Sequence, residues 1–406
     1  MKPLRILWAM PYLPWPITSG GKARQFHLIQ EMAGRGHAIT LLVQSKTPLD
    51  EATRCALSPF VKELIVLPRR ALKHPRTLWH AAMSPLPLLT SINGHAPALA
   101  ARFAELLRAH TWDVVQIEHS YGMQPFEAEL RKAGRRFALT EHNVESALGA
   151  ATYGKWPRLL RGLVGYDQYR ARRWERHILK QASVLIAVTD ADAASMKGFT
   201  GREAAVVANG VDTRAFASVE PAFDAGVALF VGNYEYAPNV DAVEWALTEI
   251  WPRVWRVAPQ LRFCVCGHGL PASWPQRFSD PRIEWRGYVP DLRDVQSRCA
   301  VFLSPLRAGG GSKLKVLEAM AAGLPLVCTS ESLSGLGAAD GVHALVRDDA
   351  EALAAALVTL MGEPSLARQM GQAARGLVSE RFDWRRSADQ LEAAHAQLLT
   401  LEQRAP

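Results

Sequence analysis

Cysteine is scarce in this 406-residue chain: five residues, Cys55, Cys264, Cys266, Cys299 and Cys328, with no CxxC pair. That excludes a disulfide scaffold and a thiolate zinc site of the ribbon type. Cys264 and Cys266 lie two apart in the strand-like run LRFCVCG, so they share a face and cannot readily bridge each other. Buried free thiols in a reducing cytoplasm are expected. Long apolar runs are also missing. None reaches the ~18–20 residues a spanning helix needs, which argues against an integral membrane protein. The start MKPLRILWAMPYLPWPITSGG is basic like a signal peptide, but Pro11, Pro14 and Pro16 interrupt its apolar stretch and no small-x-small site follows. GxxxxGKS/T, HExxH and GxSxG do not occur, removing the usual nucleotide hydrolases, zinc proteases and serine hydrolases. There are no solenoid-period repeats and no low-complexity tails. Acidic residues are short in the first half only. Residues 1–200 hold 27 Lys and Arg against 15 Asp and Glu, while residues 201–406 hold 20 against 24.

What is present is ordinary globular material, 49% hydrophobic and 21% charged, long enough for two domains of about 200 residues. Apolar runs LRILWAM, AITLLVQ, ELIVLP, WDVVQIEH, RFALTEH and SVLIAVT alternate with helical stretches in the first half. One such stretch, Ala23 to Gly34, carries Phe26, Ile29 and Met32 or Ala33 on one face. The second half repeats the theme with AAVVANG, VALFVGN, LRFCVCG, IEWRGYV, VFLSPL and LPLVCT. Continuous apolar strands alternating with helices predict α/β architecture, two doubly wound parallel-sheet domains. The turn Asn209-Gly210-Val211-Asp212 marks the boundary, and Trp384 to Leu401 reads as a long helix.

The most informative stretch is SPLRAGGGSKLKVLEAMAAGLPLVCT, Ser304 to Thr329. It reads as a strand end, three glycines (Gly309, Gly310, Gly311), a basic helix start, an apolar helix closed by Gly323, and another strand. A glycine turn feeding a helix N-terminus gathers backbone amides and the positive end of the helix dipole, and Lys313 and Lys315 add mobile charge. Glu318, one turn along, is placed to accept paired hydrogen bonds from sugar hydroxyls. Phosphate with hydroxyls indicates a nucleotide or a nucleotide sugar. The bland alternatives are a tight connection and a solvated Lys-Glu pair at i, i+3.

A second turn, Thr18-Ser19-Gly20-Gly21-Lys22, follows the first strand, and in a doubly wound sheet ligands bind beyond the carboxyl ends of the strands. His119 and His142 end two strands at the same edge, with Glu118, Glu141 and Asn143 beside them, which makes them functional candidates. Gly267 to Pro271 is taken as a turn, and Asp190-Ala191-Asp192 as a helix cap rather than a metal pair. No metal site is expected. The basic excess has two foci. Arg69, Arg70, Lys73 and Arg76 lead into LWHAAMSPLPLL; Lys155, Arg158, Arg161, Arg170, Arg172, Arg173, Arg176 and Lys180 crowd a helical stretch with Trp156, Tyr166, Tyr169 and Trp174. Such interleaving suits an anionic membrane surface. Nucleic acid is not expected, since no recognition module accompanies it. A solvated charged face is the plain alternative.

Taken together, the Gly-Gly turn, GRGHAITLL, VVANGVD, ALFVGNYEYAPNVDAVEW, RGYVPDL and above all KVLEAMAAGLPLV resemble the retaining GT-B glycosyltransferases of the group-1 type, glycosyltransferase family 4. The wording is similar to bacterial sugar transferases associated with exopolysaccharide or cell-surface glycan assembly. The resemblance implies two Rossmann-like domains facing a cleft: an acceptor-side domain at 1–211, a nucleotide-sugar domain at 212–383, and a helix at 384–406 returning to the first. It implies that Glu318 binds ribose hydroxyls and that the backbone near Lys313 and Leu314 binds the diphosphate. Gly309, Gly310, Gly311, Ser312 and Lys315 would line the same donor site. Gly20 and Gly21 would approach the donor from the other domain, and His119, with His142 nearby, would lie near the donor sugar. Two positions depart from the family pattern. Gly310 stands where a sugar-binding glutamate is common, and Asn233, with Pro238-Asn239, stands where a phosphate-gripping Arg and Lys are common. Lys313 or Lys315 would then replace the lost charge. The expected activity is metal-independent transfer, with retention, from a nucleotide-diphosphate sugar to a glycan or lipid-linked acceptor. The expected setting is the cytoplasm and the inner face of its membrane. A catalytically silent nucleotide-sugar-binding partner and a nucleotide-sugar epimerase on the same fold are the alternatives.

Overall fold

The computed structural model describes residues 2–69, 74–76, 79, 83–94, 96–143, 161–308 and 313–403, with backbone alone at 161–163. The chain divides into two compact units. The first comprises Met1–Ile17, Gly21–Ala208 and Ser387–Pro406; the second comprises Thr18–Gly20 and Asn209–Arg386.

The first unit is a parallel sheet of seven strands, β1 (Arg5–Met10), β2 (Ala38–Ser45), β3 (Glu63–Pro68), β4 (Val114–Glu118), β5 (Ala138–Glu141), β6 (Val184–Ala187) and β7 (Ala205–Val206), in the order β3-β2-β1-β4-β5-β6-β7. β4, β5 and β6 are buried along their whole length, as a sheet covered on both faces requires. The second unit is a parallel sheet of six strands, β8 (Val227–Val231), β9 (Arg262–Cys266), β10 (Ile283–Gly287), β11 (Val301–Ser304), β12 (Leu326–Cys328) and β13 (Ala344–Val346), in the order β10-β9-β8-β11-β12-β13. Its core includes Trp251 stacked on Phe263, ring centroids 5.0 Å apart. In each sheet the strand order reverses beside the first strand, between β1 and β4 and between β8 and β11. Loops leaving the carboxyl ends of such a pair diverge and open a crevice.

The helices that bear on function are α1 (Gly20–Gly34), α2 (Leu88–Gly94), α3 (Arg161–Gln181), α4 (Ala237–Trp245), α5 (Leu314–Ala321), α6 (Pro364–Arg381) and α7 (Trp384–Gln403). α5 is gripped at its carboxyl end by α6. A Cβ on Gly371 would stand 2.1 Å from the Gly323 carbonyl oxygen, so only glycine permits this approach. Arg375 Nη2 donates to the carbonyls of Ala322 and Val219, each at 2.6 Å. From Ser387 onward α7 belongs to the first unit and buries Ala388, Leu391, Ala394, His395 and Leu398, the spacing of one helical face.

Several expectations need correction. The run AAVVANG does not open the second sheet; Ala205–Val206 is the last strand of the first. β13 was not anticipated, because HALV is too short to stand out as a periodic run. Phe26 is not on the buried face of α1, which is formed by Ala23, Arg24, Gln25, Leu28, Ile29 and Met32. Phe26 instead meets the rings of Trp15 and Phe60. Four cysteines are buried but Cys55 is exposed. The helix after β6 is capped by Thr189, whose Oγ1 accepts from the Asp192 amide; Asp190 and Asp192 occupy its first turn.

Candidate functional site

In the second unit the site is organised around α5. β11 and β12 end in a buried hydroxyl cluster: Ser332 Oγ donates to the Ser304 carbonyl at 2.6 Å, and Thr329 Oγ1 donates to the Leu306 carbonyl. These bonds hold the strand ends from which the loop to α5 departs. Gly309, Gly310, Gly311 and Ser312 lie outside the described residues. Lys313 precedes the helix at φ 45°, ψ 22°, a left-handed conformation unusual for a non-glycine residue, and its carbonyl accepts from the amides of Val316 and Leu317. The chain therefore turns sharply into the helix here. Lys313 Nζ meets Glu331 Oε1 at 2.7 Å. Leu314, the first helical residue, is buried.

Lys315 does not pair with Glu318 on its own helix. It reaches the end of β8, where its ammonium lies 4.6 Å from the Phe230 ring centroid and donates to Asn239 Oδ1. Asn239 sits near the start of α4 and donates through Nδ2 to the Asn233 carbonyl at 2.8 Å. Asn233 uses its own Oδ1 to accept from the Glu235 amide at 3.0 Å, so its side chain shapes the β8 loop. Burial, and then the neighbouring Lys313 charge, lower Lys315 to about 7. Glu318, one turn further, is half-buried, and burial raises its carboxyl to about 7. Among the described residues its carboxyl has no hydrogen-bond or ion-pair partner. A cation and a carboxyl that both titrate near neutrality, three residues apart at a switch point, form an unfinished polar site. Gly267, at φ 136°, closes this edge. Its Cβ would fall 1.7 Å from the Gly232 carbonyl oxygen, so the β8 and β9 loops meet backbone to backbone.

In the first unit the carboxyl ends of β1, β4 and β5 bring together Tyr12, Glu118, His119 and His142. His119 leaves β4 at φ 65°, strained for a side-chain-bearing residue. Its Nε2 lies 3.1 Å from the Tyr12 hydroxyl, and its ring centroid lies 4.2 Å from that of His142. Nδ1 of His119 is buried with no partner among the described residues. Burial, with the His142 and Arg24 charges, holds its pKa well below that of a free histidine, so the ring is neutral at pH 7. His142 Nε2 lies 3.0 Å from Glu118 Oε2, and burial outweighs that carboxylate, leaving its pKa lowered too. Glu118 Oε1 accepts from Trp8 Nε1 at 2.7 Å and from Gln116 Nε2 at 3.1 Å. Gln116 also donates to Thr140 Oγ1, and its Oε1 lies 2.8 Å from His395 Nε2 on α7. Glu141 Oε1 accepts the Ser120 amide at 2.7 Å. Gly20 opens α1. A Cβ on Gly21 would stand 2.9 Å from the Tyr12 hydroxyl and 3.2 Å from His142 Nδ1, so that glycine admits the ring and the phenol together.

Sequence reading did not single out Tyr12, Arg24, Gln116 or His395, and it marked Asn239 only as a departure from the family pattern. Arg24 is fully buried, and desolvation lowers its pKa to about 10 against the opposing pull of Glu118 and Tyr12. An arginine on the apolar face of an amphipathic helix was the available signal. Gln116 and Glu118 alternate in DVVQIEH, which marks polar groups on one face of an otherwise apolar strand. His395 gave no comparable signal. No group of three or more His, Cys, Asp or Glu placed to hold a metal occurs among the described residues.

Comparison with known proteins agrees with this arrangement. The family described as Glycosyltransferase Family 4 matches residues 19–215, and the family described as Glycosyl transferases group 1 matches residues 225–363. The glycogen synthase of Mycobacterium tuberculosis is 26% identical over 95% of this chain and 92% of its own length. An uncharacterized 44.6 kDa protein in the cps region of Klebsiella pneumoniae is 20% identical over 91% of this chain and 94% of its own. The crystal structure of Anabaena HepE in complex with UDP and glucose matches with a TM-score of 0.68, over 97% of this chain and 99% of that one, at 15% identity. Likeness at that identity is likeness of fold, and the fold is GT-B. Two parallel-sheet units, each with polar residues at its switch point, and two family matches that follow one another along the chain lead to one assignment: the chain belongs to the group 1 glycosyltransferases of family 4.

Proposed function

We propose that this glycosyltransferase takes its sugar from a nucleotide-diphosphate sugar and transfers it, with retention of anomeric configuration and without a metal, to a glycan or lipid-linked acceptor in cell-surface polysaccharide assembly. The observation that carries the reading is the α5 pair. Glu318 is a desolvated carboxyl that lacks a partner among the described residues and suits two vicinal hydroxyls; Lys315 is a desolvated ammonium that suits a diphosphate. The complex of HepE with UDP and glucose supports a donor of this class, and the Klebsiella relative in a cps region supports the surface-glycan setting. In this reading Lys315 and Lys313 stabilise charge on the departing diphosphate. The bond from the anomeric carbon to the phosphate oxygen breaks, the acceptor oxygen bonds to the same face, and the acceptor proton passes to the departing phosphate. The neutral His119 and its partners serve the transferred sugar and the acceptor by positioning rather than by charge.

Equilibrium binding of UDP, GDP and dTDP to the wild type and to Glu318→Ala tests the reading. Losing a carboxylate that accepts two hydroxyls weakens binding by about 1.5–3 kcal/mol, roughly 10- to 100-fold. Unchanged affinity removes Glu318 from the site. Hydrolysis of a panel of nucleotide sugars by the purified chain would exclude a silent binding partner, and conversion to an epimer without acceptor would replace transfer with epimerisation.

A further inference from the structure

From the exposed face of α3 we infer a docking surface for an anionic lipid bilayer, an inference that stands independently of the donor assignment. Tyr166, Tyr169, Arg173, Arg176 and Lys180 follow one another at steps of three, four, three and four residues, and all five are exposed. At ~100° per residue they fall within about a quarter of the helix circumference. This stripe bears no acid. The two acidic residues of the helix, Asp167 and Glu175, are both buried.

The stripe has an apolar end. Asp167 Oδ1 accepts the Leu88 amide at 2.9 Å, Arg170 Nη1 donates to the Ser84 carbonyl at 3.0 Å, and the Arg170 guanidinium lies 5.0 Å from the Tyr166 ring centroid. These contacts fasten the segment entering α2 against the first turns of α3. Met83 and Leu89 flank the fastened residues and are 67% and 45% exposed, beside Tyr166 and Tyr169 at 59% and 60%. They are four of the ten exposed large hydrophobic residues among those described. That concentration is not the random scatter of a soluble surface.

Amphipathic rings beside apolar side chains, continuous with a row of cations, match the boundary between acyl chains and anionic headgroups. A nucleic acid would engage the cations but leave Met83 and Leu89 without a role. The docked bilayer would bring a lipid-linked substrate to the first unit.

Co-sedimentation of the full chain with vesicles of phosphatidylcholine, with and without phosphatidylglycerol, tests this surface. Binding is expected only with the anionic lipid and should weaken with salt. Arg173→Gln with Lys180→Gln should lower partitioning about 25-fold, about fivefold for each cation. Tyr166→Ser with Tyr169→Ser should abolish the portion that survives high salt. All four positions are exposed, and Arg170 keeps its bonds to Ser84 and Asp167 when the Tyr166 ring is removed, so thermal unfolding should change little. Equal binding to neutral vesicles, absence of binding to anionic ones, partitioning unaffected by either double variant, or tighter binding to a duplex oligonucleotide at the same salt would each overturn the inference.

Discussion

Lys315 and Glu318 make opposite demands on pH, and the donor is the probe that reads both. Each titrates at about 7, and the binding-competent state needs the lysine charged and the carboxyl ionised. For independent groups, about one quarter of molecules meet both conditions at pH 7 and about one twelfth at pH 6 or 8, and apparent affinity scales with that fraction. Wild-type affinity for UDP-glucose, whose diphosphate diester does not titrate in this range, should therefore peak near pH 7 and fall about threefold on either side. Single substitutions separate the limbs. In Lys315→Gln only the carboxyl titrates, so affinity should rise about tenfold from pH 6 to 8; in Glu318→Gln only the ammonium titrates, so it should fall by a similar factor. Calorimetry in buffers of different ionisation enthalpy adds an independent count. Net proton exchange at pH 7 should be close to zero for the wild type, with release of about half a proton in Lys315→Gln and uptake of about half in Glu318→Gln. Stability follows the same signs. The raised carboxyl makes its contribution to folding decline as pH rises from the ordinary carboxylate range through about 7, and the lowered lysine makes its contribution decline as pH falls from the ordinary ammonium range to about 7. Both are adverse at neutrality, where a donor supplying the missing partners should raise the melting temperature. A flat profile in both variants, or slopes of the same sign, would refute the two-group account.

Gly21→Ala places a methyl 2.9 Å from the Tyr12 hydroxyl; the phenol must give way and lose His119, so kcat should fall while stability drops by only about 1–3 kcal/mol. Unchanged turnover would show that the Tyr12–His119 contact does not matter to transfer. His395→Leu removes the donor to buried Gln116 Oε1, and the amide cannot flip without losing Glu118 and Thr140. Urea unfolding should show a loss of about 1–3 kcal/mol, largely recovered in His395→Gln; an unchanged midpoint would mean that Gln116 finds another donor.

The doubly wound architecture was legible because strands such as VLIA and VALFV are apolar throughout and helices separate them. The carboxyl-edge candidates were legible for a related reason: His119 and His142 are polar residues at the ends of apolar strands, where the strand has just left the core. Asn239 and His395 were not. Each acquires its role from a residue far along the chain, Lys315 for the one and Gln116 for the other, and no local period encodes a partner that distant. Lys315 shows the limit of local reading most plainly. Spacing offered Glu318 as its neighbour on the same helix, yet the side chain extends the other way, over Phe230, to the first turn of α4, at a residue that precedes it by 76.

The division of the first unit has a consequence for how the chain is made. His395 and Glu392 are the polar partners of Gln116 and His37, and they reside in Ser387–Pro406, whereas the rest of that unit ends at Ala208. Between them a ribosome must deliver Asn209–Arg386, roughly 10–35 s of synthesis at ~5–20 residues per second. During that interval the first sheet holds two polar side chains at a surface that will later be interior, so the domain that begins first is completed last. Its final closure therefore occurs only after the second unit has been made, and chaperone dependence during synthesis should concentrate in that interval.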